Sequence, residues 1–391
     1  MDARTNPYAP GAGTPPPELA GRDRLIDDAA IALDRIRNGL AAKSLLMVGL
    51  SGVGKTVLLN RICQDAEYRG FTALLLEAPE DRSLPGLLAP PLHSALVKMS
   101  RRAAAGDAAK RALGALAGFV RAMKVNFGDI GIGIDIEGEP GVADSGHLDF
   151  DLGDLLTAVG EAAKDQNTAL ALFIDELQYV EESQFAALIA ALHRAAQRQL
   201  PVTLIGAGLP QLVAHAAAAK SYAERLFRFL EIGPLPEDAA RYALEAPAGK
   251  RDVVFHPDAL SAIVRRTQGY PYFLQEWGKH SWDCAEASPI TAQDVAAAAA
   301  QATAELDAGF FRARFDRLTP SEKRYLRAMA ELGPGPHRSG EIGRMLARGV
   351  ETVAPTRAKL IAKGMIYSPA HGDTGFTVPL FDEFLRRVLR D

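Results

Sequence analysis

Residues 49–56 read Gly49-Leu50-Ser51-Gly52-Val53-Gly54-Lys55-Thr56, and residues 169–176 read ALALFIDE, an apolar run closed by Asp175 and Glu176. The first stretch has the spacing GxxxxGK[ST]. Glycines admit backbone turns closed to other residues, so the N–H groups of Ser51 to Thr56, with Val57 next, can converge on phosphate oxygens at the positive end of a helix. Lys55 can then reach the β and γ phosphates, and the Thr56 hydroxyl can ligate Mg²⁺. In the second stretch, Asp175 can hold the same ion through water while Glu176 polarises an attacking water as general base. A single acid would fit metal binding alone; the pair points to hydrolysis of a nucleoside triphosphate.

These residues need a scaffold, and their flanks supply one. Ser44 to Val48 is a short apolar strand candidate and Val57 to Ile62 continues as helix, the strand, loop and helix start that the phosphate loop requires. Ala169 to Ile174 suits a strand buried on both faces, as in a parallel sheet, whose C-terminal ends are where ligands bind. Residues 72–76 and 202–206 read as two further strands, each preceded by helical sequence. This alternation predicts a parallel, three-layer α/β sheet.

Around that core the texture changes several times. Residues 1–18 are rich in Pro, Gly and Ala and are expected to form a disordered tail. Apolar residues at helical spacing from Arg24 to Leu40 predict a helix stopped near Gly39. An insertion over about 81–150 holds an Ala-rich helix (101–123) and an alternating run, Ile130 to Ile136, whose isoleucines share one face. That face calls for a cover, either its own domain or a partner. Residues 236–317 read as a helical lid, with N-cap candidates at Asp252, Thr291 and Asp294. In 318–391, Thr319-Pro320-Ser321-Glu322 is a capping box, Ser339 caps a second helix, and a third runs from about Val353 to Lys363. Met365 to Ser368 and Gly375 to Val378 flank a His371-Gly372-Asp373 turn, completing a winged helix-turn-helix.

Composition narrows the setting. The chain of 391 residues is 48% hydrophobic, enough for a sizeable core in two or three domains. With no run of eighteen apolar residues and no apolar N-terminal segment, neither a membrane span nor secretion is expected, and the default is cytoplasmic. Cys63 and Cys284 are isolated, and the eight histidines show no metal-ligand spacing. The net charge of −4 divides unevenly: residues 318–391 carry 12 Lys and Arg against 8 Asp and Glu, while the rest is net −8. A basic C-terminal segment is a starting point for nucleic-acid contact and no more.

With the motifs placed, the chain resembles AAA+ and STAND-type P-loop ATPases, nearest to the origin-recognition-complex-like members that end in a winged helix. The likeness rests on Ala20-Gly21-Arg22-Asp23, the phosphate loop, FIDELQ at 173–178, Gly206-Ala207-Gly208-Leu209-Pro210, Ser221 to Arg228, and Gly269-Tyr270-Pro271. It implies domains at 19–235, 236–317 and 318–391, and ATP with Mg²⁺ as ligands. It also implies Arg22 and Pro271 beside the adenine and Arg225, or else Arg228, as an arginine finger in a homo-oligomer. Two departures stand out: no polar sensor side chain ends the fourth strand, and GYP replaces the lid arginine. They imply slow turnover, with ATP a conformational switch rather than fuel. Two readings follow. Residues 339–378 could dock double-stranded DNA through Thr356, Arg357, Lys359 and Lys363, or the winged helix and the insertion could make protein contacts in a signalling scaffold.

Overall fold

The computed structural model describes residues 1–11, 13–78, 83–101, 106–125, 141–370 and 372–389. The isoleucine run 130–136 and His371 lie outside them. The chain forms two compact units, discontinuous in sequence: residues 24–48 with 58–231, and residues 1–23 and 49–57 with 232–391. The second grouping differs from the expected division at 235, because the phosphate loop packs with the C-terminal half of the chain.

The first unit is built on a sheet. In chain order its elements are α1 (Asp23–Arg37), β1 (Ser44–Val48), α2 (Lys55–Tyr68), β2 (Thr72–Glu77), α3 (Leu84–Ser100), α4 (Gly106–Ala122) and α5 (Leu148–Asp165). There follow β3 (Leu170–Asp175), α6 (Glu182–Gln197), β4 (Val202–Gly208), α7 (Gln211–Ala219), α8 (Ala223–Leu226) and β5 (Phe227–Glu231). All five strands are parallel in the order β2-β3-β4-β1-β5. Every residue of β1, β3 and β4 is buried, which is why these strands read as continuous apolar runs. The one polar side chain in β1, Ser44, accepts a bond from the Leu204 N–H at 3.1 Å. Parallel strands all finish on one edge, so β1, which leads into the glycine loop, and β3, which closes with Asp175, end on the same side of the sheet.

The insertion adds two helices to this core. Leu88, Leu92 and Leu96 of α3 and Leu116 and Phe119 of α4 are buried with Leu152 and Leu156 of α5. The expected helix over 101–123 is present as α4, with Lys110, Arg111 and Arg121 on its exposed face. Helix α3 was not expected, since Pro90 and Pro91 sit inside it. Each proline removes an amide from the helical ladder, and burial of eight side chains of α3 offsets that cost.

The second unit is helical and ends in a small sheet. It comprises α9 (Glu237–Gly249), α10 (Pro257–Thr267), α11 (Pro271–Cys284), α12 (Ala292–Glu305), a π-helical turn (Leu306–Phe311), α13 (Arg312–Phe315) and α14 (Pro320–Glu331). After these come β6 (His337–Arg338), α15 (Ser339–Met345), α16 (Val350–Ala362), β7 (Ile366–Tyr367), β8 (Asp373–Phe376) and α17 (Phe381–Val388). Strands β6 and β7 both pair antiparallel with β8, giving the order of a winged helix-turn-helix. Thr291 and Thr319 are N-caps with reciprocal boxes to Asp294 and Glu322. Three expected caps are corrected: Asp294 is the third residue of α12, partner to the Thr291 cap rather than a cap itself. Asp252 lies in a left-handed turn at φ 58° and His256 caps α10 instead. Ser339 is the first residue of α15, and its hydroxyl donates to the Gly372 carbonyl at 3.1 Å.

The N-terminal tail departs most from expectation. Tyr8 is 4% exposed, its ring lying where Gly278 has no Cβ to obstruct it. The Asn6 amide donates to the Lys279 carbonyl at 3.0 Å, and the Trp282 indole N–H donates to the Asp2 carbonyl at 3.2 Å. One buried aromatic and these paired polar groups dock the first residues on α11, where composition alone predicted disorder.

Candidate nucleotide-binding and hydrolysis site

The phosphate loop is fixed by its own carbonyls. Gly52 and Gly54 adopt φ of 82° and 89°, the region open to glycine. A Cβ on Gly49 would overlap the Ile232 carbonyl oxygen and lie 3.1 Å from its carbon, so only glycine fits there. Lys55, 7% exposed, donates through Nζ to the carbonyls of Gly49 at 2.9 Å and Leu50 at 3.0 Å, which folds its ammonium back over the loop. Within the described residues the N–H groups of Gly52, Val53 and Gly54 donate to no protein acceptor. Together with the start of α2 they form a run of positive dipoles beside a cation, a donor set suited to phosphate.

Three further contacts surround the loop within its unit. Arg22 is 8% exposed and donates through Nη2 to the carbonyls of Val53 (3.2 Å) and Gly233 (2.6 Å). Burial lowers its affinity for a proton below the ordinary guanidinium value. Its contacts make Arg22 a strut of the loop. Pro271 opens α11, and the next residue, Tyr272, donates its N–H to the Gly52 carbonyl at 3.3 Å. That corner is held because Gly269, at φ 73°, accepts from the Leu235 N–H at 2.8 Å through its carbonyl. The third contact comes from the winged helix: the Ser51 N–H donates to the carbonyl of Thr377, just past β8, at 2.9 Å. Thr377 is fully buried, and its own N–H donates to the Met365 carbonyl at 3.2 Å.

In the sheet unit, Asp175 Oδ1 accepts the Glu176 N–H at 2.9 Å. Glu176 sits at φ 53°, ψ 36°, a left-handed conformation uncommon for a residue with a side chain. Gln178 Nε2 donates to the Glu176 carboxylate. The same amide's Oε1 accepts from the Leu209 N–H at 3.0 Å. Gln178 therefore spans from Glu176 to the end of β4, the place where the polar sensor side chain was missed in the sequence. Gly208 makes the room, since a Cβ there would lie 2.6 Å from Gln178 Oε1, while a Cβ on Gly206 would overlap the neighbouring Leu177 side chain. Thr56, in the second unit, and Asp175, in the first, are each hard oxygen donors of the kind Mg²⁺ takes.

The remaining candidates divide. Arg225 is exposed on α8, and its side chain has no partner among the described residues; Arg228 is bound to Asp28 at 2.7 Å. Of the four recognition-helix candidates, two are internal. Arg357 donates to Thr374 Oγ1 (2.8 Å), Ser368 Oγ (2.8 Å) and the Asp373 carbonyl (2.9 Å), pinning α16 to the wing. Lys363 holds Glu322 at 2.8 Å and the Arg317 carbonyl at 3.0 Å. Only Lys359 remains fully exposed, with Thr356 half-buried beside it. Sequence reasoning missed Gln178 and Thr377. The first was visible as the Gln of DELQ; the second acts through its backbone and left no signal.

A three-layer parallel sheet in the order 2-3-4-1-5, with a glycine loop after the first strand and two acids after the third, defines a P-loop NTPase of the AAA+ kind. Residues 18–205 match the family model described as AAA ATPase domain. Residues 308–385 match a domain of unknown function, DUF8462, which begins inside the π-helical turn. No curated protein matches the chain. Among solved structures it is similar to the Walker-type ATPase PABY2304 of Pyrococcus abyssi, with 16% identity over 95% of this chain and 97% of that one and a TM-score of 0.58. Two others are Orc1 of Aeropyrum pernix in complex with DNA (16% identity, 95% and 93% covered, TM-score 0.47) and the RuvB Holliday junction branch migration motor of Thermotoga maritima (15%, 91% and 92%, 0.45). At these identities the likeness concerns the fold. No described helix is long and apolar enough to cross a membrane.

Proposed function

We propose that the chain is an ATP-binding, slowly hydrolysing switch whose nucleotide state sets the position of the winged helix for contact with double-stranded DNA. The observation that carries this reading is the 2.9 Å bond from the Ser51 N–H to the Thr377 carbonyl. It ties the end of the wing to a residue inside the phosphate loop, so a ligand that draws on that loop acts on the wing directly. Such a ligand shifts the winged helix only by its differential affinity for the two arrangements. In the proposed site the amides of Gly52 to Val57 and Lys55 hold the phosphates, Thr56 and Asp175 hold Mg²⁺, which offsets phosphate charge when bound, and Pro271 meets the base. Glu176 takes the proton of the attacking water while Gln178 fixes its carboxylate. Arg225, exposed on α8, is assigned to the site of a neighbouring copy.

A second reading, a STAND-like scaffold whose winged helix meets protein, is favoured by one observation: Arg357 and Lys363 are spent on internal bonds. The test takes Glu176→Gln and Lys55→Ala protein with ATP or ADP. It measures mass by light scattering and duplex DNA binding by anisotropy at two salt concentrations. DNA binding by Glu176→Gln that differs between ATP and ADP, weakens with salt and is insensitive to nucleotide in Lys55→Ala is the expected result. A rise in mass with ATP and no DNA signal would replace the DNA switch by the scaffold.

A further inference from the structure

With Arg357 and Lys363 committed internally, the free cations of the winged helix lie elsewhere. A cavity of about 100 Å³ opens between the first turn of α14, the turn joining α15 to α16, and the start of α16. Its polar lining is Ser321, Arg324, Tyr325, Arg348 and Thr356, with Leu346 and Val353 as its apolar walls; the buried Tyr325 hydroxyl has no hydrogen-bond partner among the described residues. Arg324 and Arg348 are both exposed, and neither guanidinium bonds or pairs with any described residue. The neighbouring carboxylates are engaged or turned outward: Glu322 on Lys363, Glu341 on the Arg338 N–H at 2.9 Å, and Glu351 exposed on α16.

We infer that this cavity is a phosphate site that takes one phosphodiester of a DNA duplex. Two guanidinium forks and the hydroxyls of Ser321, Tyr325 and Thr356 line a space that suits one tetrahedral oxyanion rather than a nucleotide, the Ser321 hydroxyl being shared with Thr319 Oγ1 at 3.2 Å. Two helix starts add to the positive field: Ser321 lies in the first turn of α14, and α16 begins at Val350 behind Gly349, which offers no side-chain cap. The second helix of a helix-turn-helix enters the major groove by its N-terminal end, and backbone phosphates flank that groove. The site therefore sits where a strand of the duplex passes. This inference rests on the DNA reading above, but it moves the contact from the middle of α16 to the corner between α14 and α16.

The test uses the full chain with ATP, a fluorescein-labelled duplex of arbitrary sequence, and the variants R324A/R348A and, as a charge control in the lid, R251A/R265A. The expected result is that R324A/R348A weakens duplex binding at least about tenfold and lowers the slope of log affinity against log salt by about one, as one phosphate contact requires, while the control changes neither. Both arginines are exposed, and an unaltered melting curve for the double variant excludes misfolding. Equal loss in both double variants, or no loss in either, overturns the site while leaving DNA binding intact. If wild type ignores the duplex but binds inorganic phosphate by calorimetry, and R324A/R348A does not, the anion site stands, its source is free phosphate, and the DNA reading falls. If wild type binds neither, both fall.

Discussion

Arg357 separates two views of the winged helix, because as a recognition-helix cation it should matter to DNA and as a strut it should matter to the wing. Its guanidinium makes three bonds of 2.8–2.9 Å to residues of β8 and the hairpin. In Arg357→Ala, water can replace the donor at Ser368, which is exposed, but Thr374 is fully buried and its Oγ1 loses the Arg357 donor. Stranding one buried acceptor and losing the charged donor costs about 2–3 kcal/mol. That is about a 30- to 150-fold faster amide exchange if the hairpin opens locally. Hydrogen exchange read by mass spectrometry on peptides covering 365–378 measures this directly, with Arg357→Lys as a variant that keeps the charge but not the planar fork. Both variants should accelerate exchange, lysine by less. Unchanged exchange in Arg357→Ala together with a flatter salt dependence of DNA binding would refute the strut and return Arg357 to the DNA face.

Other consequences follow from the same structure. Gly49→Ala should lower ATP affinity about 100-fold, because its Cβ drives the loop off the Ile232 carbonyl by about 1 Å. Gly39→Ala, in open space at φ 71°, should cost only about 1–2 kcal/mol of backbone strain and leave affinity alone; a fluorescent nucleotide titration compares the two. Gln178→Ala should keep nucleotide binding and lower kcat about tenfold, since Glu176 loses a charge-assisted bond of about 1.5 kcal/mol or more, and an unchanged kcat would remove Gln178 from its positioning role. Stability to urea should fall as pH drops below about 6.5. Burial lowers the folded-state values of His215 and His280, so their contribution is fully present above 6.5 and is lost as the unfolded chain takes up protons. Glu276, raised by burial, works the other way at lower pH, and His215→Leu should flatten the slope near 6 while leaving Glu276's part.

The motifs of the candidate site were legible because they are local. A glycine loop between a strand and a helix, and a buried strand ending in two acids, are each specified by a few consecutive residues, and the parallel sheet follows from the alternation of apolar runs with helices. The capping boxes at Thr291 and Thr319 were equally readable, since both partners lie within one turn. What composition could not reveal was which polar groups are spent inside. Arg357 and Lys363 looked like a cationic helix face, yet their acceptors lie 11–17 and 41 positions away in the chain. Tyr8 looked like part of a tail because its cover, α11, is distant in sequence. The sequence by itself determined a glycine loop between strand and helix, a buried strand ending in two acids, and the helices and small sheet of the C-terminal segment. Only tertiary structure decided that a wing carbonyl meets the loop amide, that Gln178 fills the end of β4, and that Arg324 and Arg348 line one cavity at the corner of α14. Each of these depends on long-range contacts whose partners no local pattern encodes.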